Sequence, residues 1–320
     1  MIKQINYLIK VLKIFLALTI ALTILMLIFF GHRDISLVDL KLKYTNKHSS
    51  FVSIKGMDVH FRDEGSKTDT IPIILIHGTG SSLHTFDFWT NKLKYSKRVI
   101  RFDLPAYGLT GPFVDRDYSI SNYTSFLKEF LETLDIKQCI IAGNSLGGEI
   151  AWNFALEQPQ MVKKLILIDA GGFPLVSKSV PIAFRLAQTP VINKLCSFIT
   201  PLFVVRSSVE DVYFNKLKVT DSLVERYFEL GLREGNRNAF IDRLSIVKRY
   251  NYVNISKIKQ PTLILWGADD LLIPLENAYK FQRSIPNNVL VIMDDTGHVP
   301  MEESPLESIG FVTDFLNITK

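Results

Sequence analysis

Six short apolar runs alternating with helix-like stretches constrain this 320-residue chain more than any other feature. Residues 71–76, 98–102, 139–142, 164–168, 262–266 and 289–293 are too continuously apolar to be half-exposed strands. They read as parallel strands covered on both faces. Helical patterns fall at 86–93, 122–134, 146–157, 275–285 and 305–316. Strand alternating with helix predicts an α/β class fold with a mostly parallel, doubly wound sheet. Two short strands at 51–54 and 59–61, turning at Gly56, form a hairpin ahead of it.

One interval breaks the alternation. Between Gly171 and about Ser256 there is no strand pattern, only apolar helical patches at 182–186, 191–203 and 223–232. An excursion of ~80 residues is too long for a plain loop and should carry its own structure. It is expected to be a helical cap, residues 171–256, inserted between the two parts of the core, 50–170 and 257–320.

The first 33 residues stand apart. From Val11 to Phe30 only Lys13 interrupts 20 residues without charge, enough for ~30 Å of helix. The run ends Phe29, Phe30, Gly31, with no small-residue cleavage pattern, so residues 1–33 are expected to be an uncleaved single-pass membrane anchor rather than a signal peptide. Lys10 and Lys13 crowd the membrane edge more closely than Arg33, which places the N-terminus in the cytoplasm and the body on the other side. Four of the 37 Lys and Arg lie in this segment, which has no acid, leaving 33 against 32 Asp and Glu in the body. A nearly neutral body argues against a nucleic-acid partner. With two cysteines, no CxxC and no Cys/His cluster, neither a disulfide framework nor a metal site is expected, and no cofactor or obligate protein partner is implied.

Ser145 sits in Gly143-Asn144-Ser145-Leu146-Gly147, directly after one apolar run and before a helix. Small residues two positions either side allow a strained strand-to-helix corner that lifts a hydroxyl clear of a sheet. A serine hydroxyl needs a base, and the base needs an acid to hold its tautomer. His298 follows the last strand in the order this chemistry requires. The acid is expected to be Asp270, then Asp269, in the loop after Trp266, with Asp169 at the end of an earlier strand as a third candidate. An oxyanion also needs backbone donors. The loop His77-Gly78-Thr79-Gly80 and the start of the helix after Ser145 make Thr79 and Leu146 the expected pair, with His77 as a structural residue of that loop.

Five motifs in order, HGTG at 77–80, FDLPAYGLT at 102–110, GNSLGG at 143–148, LWGADD at 265–270 and TGH at 296–298, make the chain from Ser50 onward resemble the α/β-hydrolase superfamily. The cap-bearing esterase, lipase and C–C hydrolase branch is the most similar. The resemblance implies Asp270, four residues after Trp266, as the acid, and an aspartate at position 145 would have pointed to dehalogenases and epoxide hydrolases instead. Ala106 departs from the family's usual glycine. With the apolar N-terminus, the chain also looks like a membrane-bound monoacylglycerol lipase. A small-molecule ester with an apolar, lipid-like part is the expected substrate. A thioesterase, a C–C bond hydrolase and a non-catalytic binding member of the fold are the alternatives, the last requiring the loss of Ser145, Asp270 or His298.

Overall fold

The computed structural model describes residues 2–174, 176–246 and 250–318. The chain opens with α1 (Ile2–Phe30), then α2 (Leu37–Tyr44), the hairpin β1 (Ser49–Ile54) and β2 (Met57–Glu64), and β3 (Ile73–Ile76). There follow α3 (Asp87–Leu93), β4 (Val99–Phe102), α4 (Ile120–Thr133), β5 (Cys139–Asn144), α5 (Leu146–Glu157) and β6 (Val162–Ile168). Five helices come next: α6 (Ile182–Gln188), α7 (Ile192–Cys196), α8 (Leu202–Glu210), α9 (Asp221–Gly231) and α10 (Asn236–Ser245). The chain then returns to the sheet with β7 (Thr262–Gly267), α11 (Glu276–Ser284), β8 (Asn288–Met293), α12 (Pro300–Glu303) and α13 (Pro305–Leu316).

The strands form one eight-stranded sheet in the order β1-β2-β4-β3-β5-β6-β7-β8. From β4 to β8 every pairing is parallel, and only β2 runs against its neighbours. Every residue of β3, β4, β5 and β7 is buried, as their unbroken apolar runs require. Alternate side chains feed opposite layers. In β3, Ile74 and Ile76 join a core with Phe126, Phe130, Trp152 and Phe281 beneath α4, α5 and α11. Ile73 and Leu75 join Phe86, Trp89, Ile309 and Val312 beneath α3 and α13.

The order of strands reverses between β3 and β5, whose ends lie side by side with Ile76 opposite Gly143. In an open parallel sheet the crevice outside such a switch point is where ligands collect. The helical cap α6–α10 is inserted after β6, over those strand ends. Pro201, at the start of α8, divides the patch expected as one helix at 191–203 into α7 and α8.

Ala106 occupies a left-handed conformation, φ 89°, with its N–H donating to Gly111 O at 2.7 Å. Strain of ~1–2 kcal/mol at a left-handed non-glycine residue exceeds the ~0.4–1 kcal/mol of extra unfolded-chain entropy that a glycine brings. Ala106→Gly is therefore expected to raise the thermal midpoint by about 2 °C, readable by calorimetry, and a lower midpoint would refute the strain argument.

Helix α1 is 29 residues long, about 43 Å, and none of its residues is buried. By length and composition it is able to cross a bilayer.

Candidate active site

Ser145 stands at φ 55°, ψ −114° at the corner between β5 and α5. Two glycines make this corner possible through close approach. A Cβ on Gly143 would lie 2.2 Å from Gly147 O, and one on Gly147 would lie 2.2 Å from Ile76 O. Backbone groups lock the turn: Ser145 N–H donates to Ile168 O at 3.0 Å, while Ser145 O accepts from Glu149 N–H and Gly171 N–H, both at 3.0 Å.

His298 and Asp270 meet in the interior. His298 Nδ1 is 2.6 Å from Asp270 Oδ2, and both side chains are buried. Asp270 Oδ1 accepts the N–H groups of Leu272 and Ile273 at 2.8 and 2.9 Å. A carboxylate so engaged can only accept from the ring, which fixes the proton on Nδ1 and leaves Nε2 with a free lone pair. Neither Ser145 Oγ nor His298 Nε2 hydrogen-bonds to another group among the described residues. Ser145 and His298 line the same cavity.

The other two aspartates expected from the sequence separate in space, and Asp269 is the one left out: it is half-exposed and makes no contact with the imidazole. Asp169 is inside. It is fully buried, Oδ1 accepts Gly267 N–H at 2.9 Å, and Oδ2 has no partner. Burial, followed by the charge of Asp270, pushes its carboxyl well above the usual carboxylate range. Ligand atoms of Asp169, Asp270 and His298 lie within 4.8 Å of one another, a metal-ligand type of cluster. The short Asp270–His298 bond already uses one atom of each of those two residues.

Thr79 lines the same cavity as Ser145, and Leu146 follows Ser145 as the first residue of α5. The 77–80 loop presses on the corner so closely that a Cβ on Gly78 would sit 3.1 Å from Ser145 Cβ. Among the described residues neither the Thr79 nor the Leu146 N–H has a backbone acceptor. His77 is fully buried, and burial lowers its pKa, keeping it neutral. Its Nε2 accepts Leu104 N–H at 2.9 Å and its Nδ1 donates to Gly78 O at 2.8 Å, which fastens the loop to the end of β4.

Three supporting residues have no role assigned from the sequence, although Asn144 and Asp103 lie inside the motifs at 143–148 and 102–110. Asn144 Nδ2 donates to His298 O at 2.9 Å, tying the histidine loop to the serine corner. Glu303, buried, accepts Gly297 N–H at 2.7 Å with Oε2 and Asn215 N–H at 2.7 Å with Oε1, joining that loop to the cap. Asp103 accepts Leu83 N–H and Leu109 N–H at 2.8 and 2.9 Å and faces His60 at 2.8 Å. The position of Asn144 beside the serine and of Glu303 five residues after the histidine were the available signals.

The cavity over Ser145 measures about 210 Å³ and is lined in part by residues of the five cap helices. Its wall is mostly apolar, including Phe184, Leu186, Val204, Val212, Phe240 and Leu272. Among the described residues Arg237 is the one Lys or Arg in the wall, and its guanidinium is held by Asp34 at 2.6 Å and His32 O at 2.8 Å.

A doubly wound sheet with a cap and a serine at a strand-to-helix corner defines a class of hydrolase. The family model for the alpha/beta hydrolase fold matches residues 71–305, and the chain belongs to that family as a serine hydrolase. A 2-hydroxy-6-oxononadienedioate/2-hydroxy-6-oxononatrienedioate hydrolase from Cupriavidus pinatubonensis is 27% identical over 285 residues, 84% of this chain and 95% of that protein. The crystal structure of a putative lipase from Acinetobacter baumannii is 25% identical with a TM-score of 0.71, over 89% of this chain and 97% of that one. That of a membrane phospholipase A, described as a bacterial virulence factor, is 22% identical with a TM-score of 0.72, over 96% of this chain and 97% of that one.

Proposed function

We propose that the protein cleaves carboxylic esters with an apolar, lipid-like acyl or alcohol part. In this reading Ser145 is the nucleophile, His298 the base and Asp270 the acid that orients it. His298 Nε2 takes the hydroxyl proton as Oγ attacks the carbonyl. The N–H groups of Thr79 and Leu146 receive the negative oxygen, and each such donor is worth about 10²–10³ in rate. The proton then passes from His298 to the departing alcohol, and water enters by the reverse path to release the acid. Residues 1–33 act as a membrane anchor, with residues 50–170 and 257–320 forming the catalytic body and 171–256 the cap.

The observation that carries the ester reading is the wall of the cavity. It is apolar, and the one Lys or Arg that lines it among the described residues is already paired with Asp34. A neutral acyl chain enters such a space without an unpaired charge, whereas a dicarboxylate must be stripped of water with no unpaired cation among the described residues to meet it. C–C bond hydrolysis is the second reading, favoured by the Cupriavidus relative and its dioate substrates. A series of p-nitrophenyl esters from two to twelve carbons, assayed beside a 2-hydroxy-6-oxo-dienedioate, separates the two. The ester reading expects kcat/KM to rise with chain length by about 10-fold per ~1.4 kcal/mol of apolar contact and the dioate to be inert. Turnover of the dioate above that of every ester would overturn it.

A further inference from the structure

The exit of α1 is sewn into the cap. Gly31 pairs antiparallel with Ile199. His32 N–H donates to Phe198 O at 3.1 Å, and Thr200 N–H donates to Phe30 O at 3.0 Å. The ring of Phe30 meets that of Phe203 edge-on, centroids 5.7 Å apart. The outer face of α7 and of the first turn of α8 therefore begins where the apolar helix ends.

That face is apolar and uncovered. Ile192, Leu195, Phe198, Leu202 and Phe203 are all exposed, within twelve consecutive residues. Concentrated apolar exposure marks an interaction surface, unlike single scattered side chains. The patch continues into Leu27 of α1, also exposed, which lines the same groove as Phe198. Exposed Arg33 and Lys194 border the groove between α1 and α7, while the nearby Asp34 is spent on Arg237. An apolar face rimmed by cations that pair with no acid among the described residues, beside a bilayer-length helix, matches an anionic lipid surface. The inner side of the same segment belongs to the cavity, where Cys196, Ile199, Thr200 and Pro201 line the space over Ser145.

We infer that the α7–α8 face is a bilayer-docking surface: it seats in the boundary between headgroups and acyl chains beside α1, and a single stretch of cap separates lipid from the Ser145 cavity. This rests on the anchor reading of α1 and deepens the ester reading by giving the side from which a lipid substrate enters.

The three native tryptophans, Trp89, Trp152 and Trp266, are fully buried, so a new surface tryptophan is the one a lipid quencher reaches. Phe198→Trp and Phe203→Trp are made separately in the full chain and reconstituted in phosphatidylcholine–phosphatidylglycerol vesicles whose acyl chains carry bromine. Docking to the ~5–10 Å depth of an interfacial helix is expected to cut the added emission about twofold or more in both. Tyr95→Trp, after α3 at the opposite end of the sheet, is expected to be unquenched. Phe15→Trp reports α1 itself. Quenching at position 15 with none at 198 and 203 overturns docking and leaves the anchor standing. No quenching at 15 removes the anchor and docking with it. A chain that is unquenched at 203 and sediments as a dimer assigns the face to a second copy and also overturns the proposal. These readouts need no turnover, so they stand apart from failure of the ester reading. In activity, Phe198→Ser/Phe203→Ser is expected to lower kcat/KM on a vesicle-borne monoacylglycerol about tenfold and leave a soluble short-chain ester unchanged; equal effects on both would count against docking.

Discussion

Ser145→Ala is expected to lower kcat on every substrate the protein turns over by at least about 10³-fold and leave the fold unchanged. Separating the two effects is possible because the corner is built by the backbone. The bonds to Ile168, Glu149 and Gly171 use main-chain atoms of residue 145, and the close approaches belong to Gly143 and Gly147. Alanine keeps all of these and loses only Oγ, which makes no hydrogen bond among the described residues. A fluorophosphonate probe should label the native chain at Ser145 and leave the variant untouched, with thermal midpoints within about 2 °C of each other. Retention of more than a few per cent of native kcat would show that another group makes the covalent bond.

The second large effect is expected at Asp270→Asn, a loss of about 10⁴ in kcat/KM at neutral pH. The side-chain oxygen of asparagine still accepts from Leu272 and Ile273, so its NH₂ group takes the place of Oδ2. An NH₂ opposite Nδ1 demands a lone pair there, forcing the ring proton to Nε2, the atom that must accept from Ser145. Asp269→Asn is expected to stay within about threefold of native, because its half-exposed side chain makes no hydrogen bond among the described residues and the substitution keeps its size. Asp169→Asn is expected to cost less than about tenfold, since its Oδ1 only accepts Gly267 N–H, a bond the asparagine oxygen keeps, and it makes no hydrogen bond to the His298 ring. Steady-state kinetics on all three variants decide the matter: a loss at Asp169 equal to that at Asp270 would mean that the two carboxyls act as one unit.

The parallel sheet was legible because its strands are covered on both faces and their apolar runs are continuous. Strand ends were less so: the runs at 71–76 and 98–102 start two residues and one residue before β3 and β4. Helix α2 was missed, because over 37–44 charged and apolar residues share eight positions and only Leu40 and Tyr44 are buried. Helix α10 was missed for a similar reason, being polar along most of its length and packed within the cap through Ala239 and Arg243. At the site, Ser145 and His298, which line one cavity, and Asp270, which bonds to His298, stand in motifs. Residues that act through a buried bond to a distant loop, such as Glu303, carry no local pattern, because their partners are backbone N–H groups that any residue supplies.

The bond set of Glu303 bears on how this scaffold can be rebuilt. One carboxylate holds Gly297 beside His298 and Asn215 in the cap, and Val212 O accepts His298 N–H at 2.8 Å. A chimera that grafts a relative's helices onto this sheet cannot treat the insertion as a free module. Grafted between 182 and 210, with the native turn at 211–215 retained, it keeps the imidazole where Ser145 needs it; replaced through 215, it releases the base along with the lid.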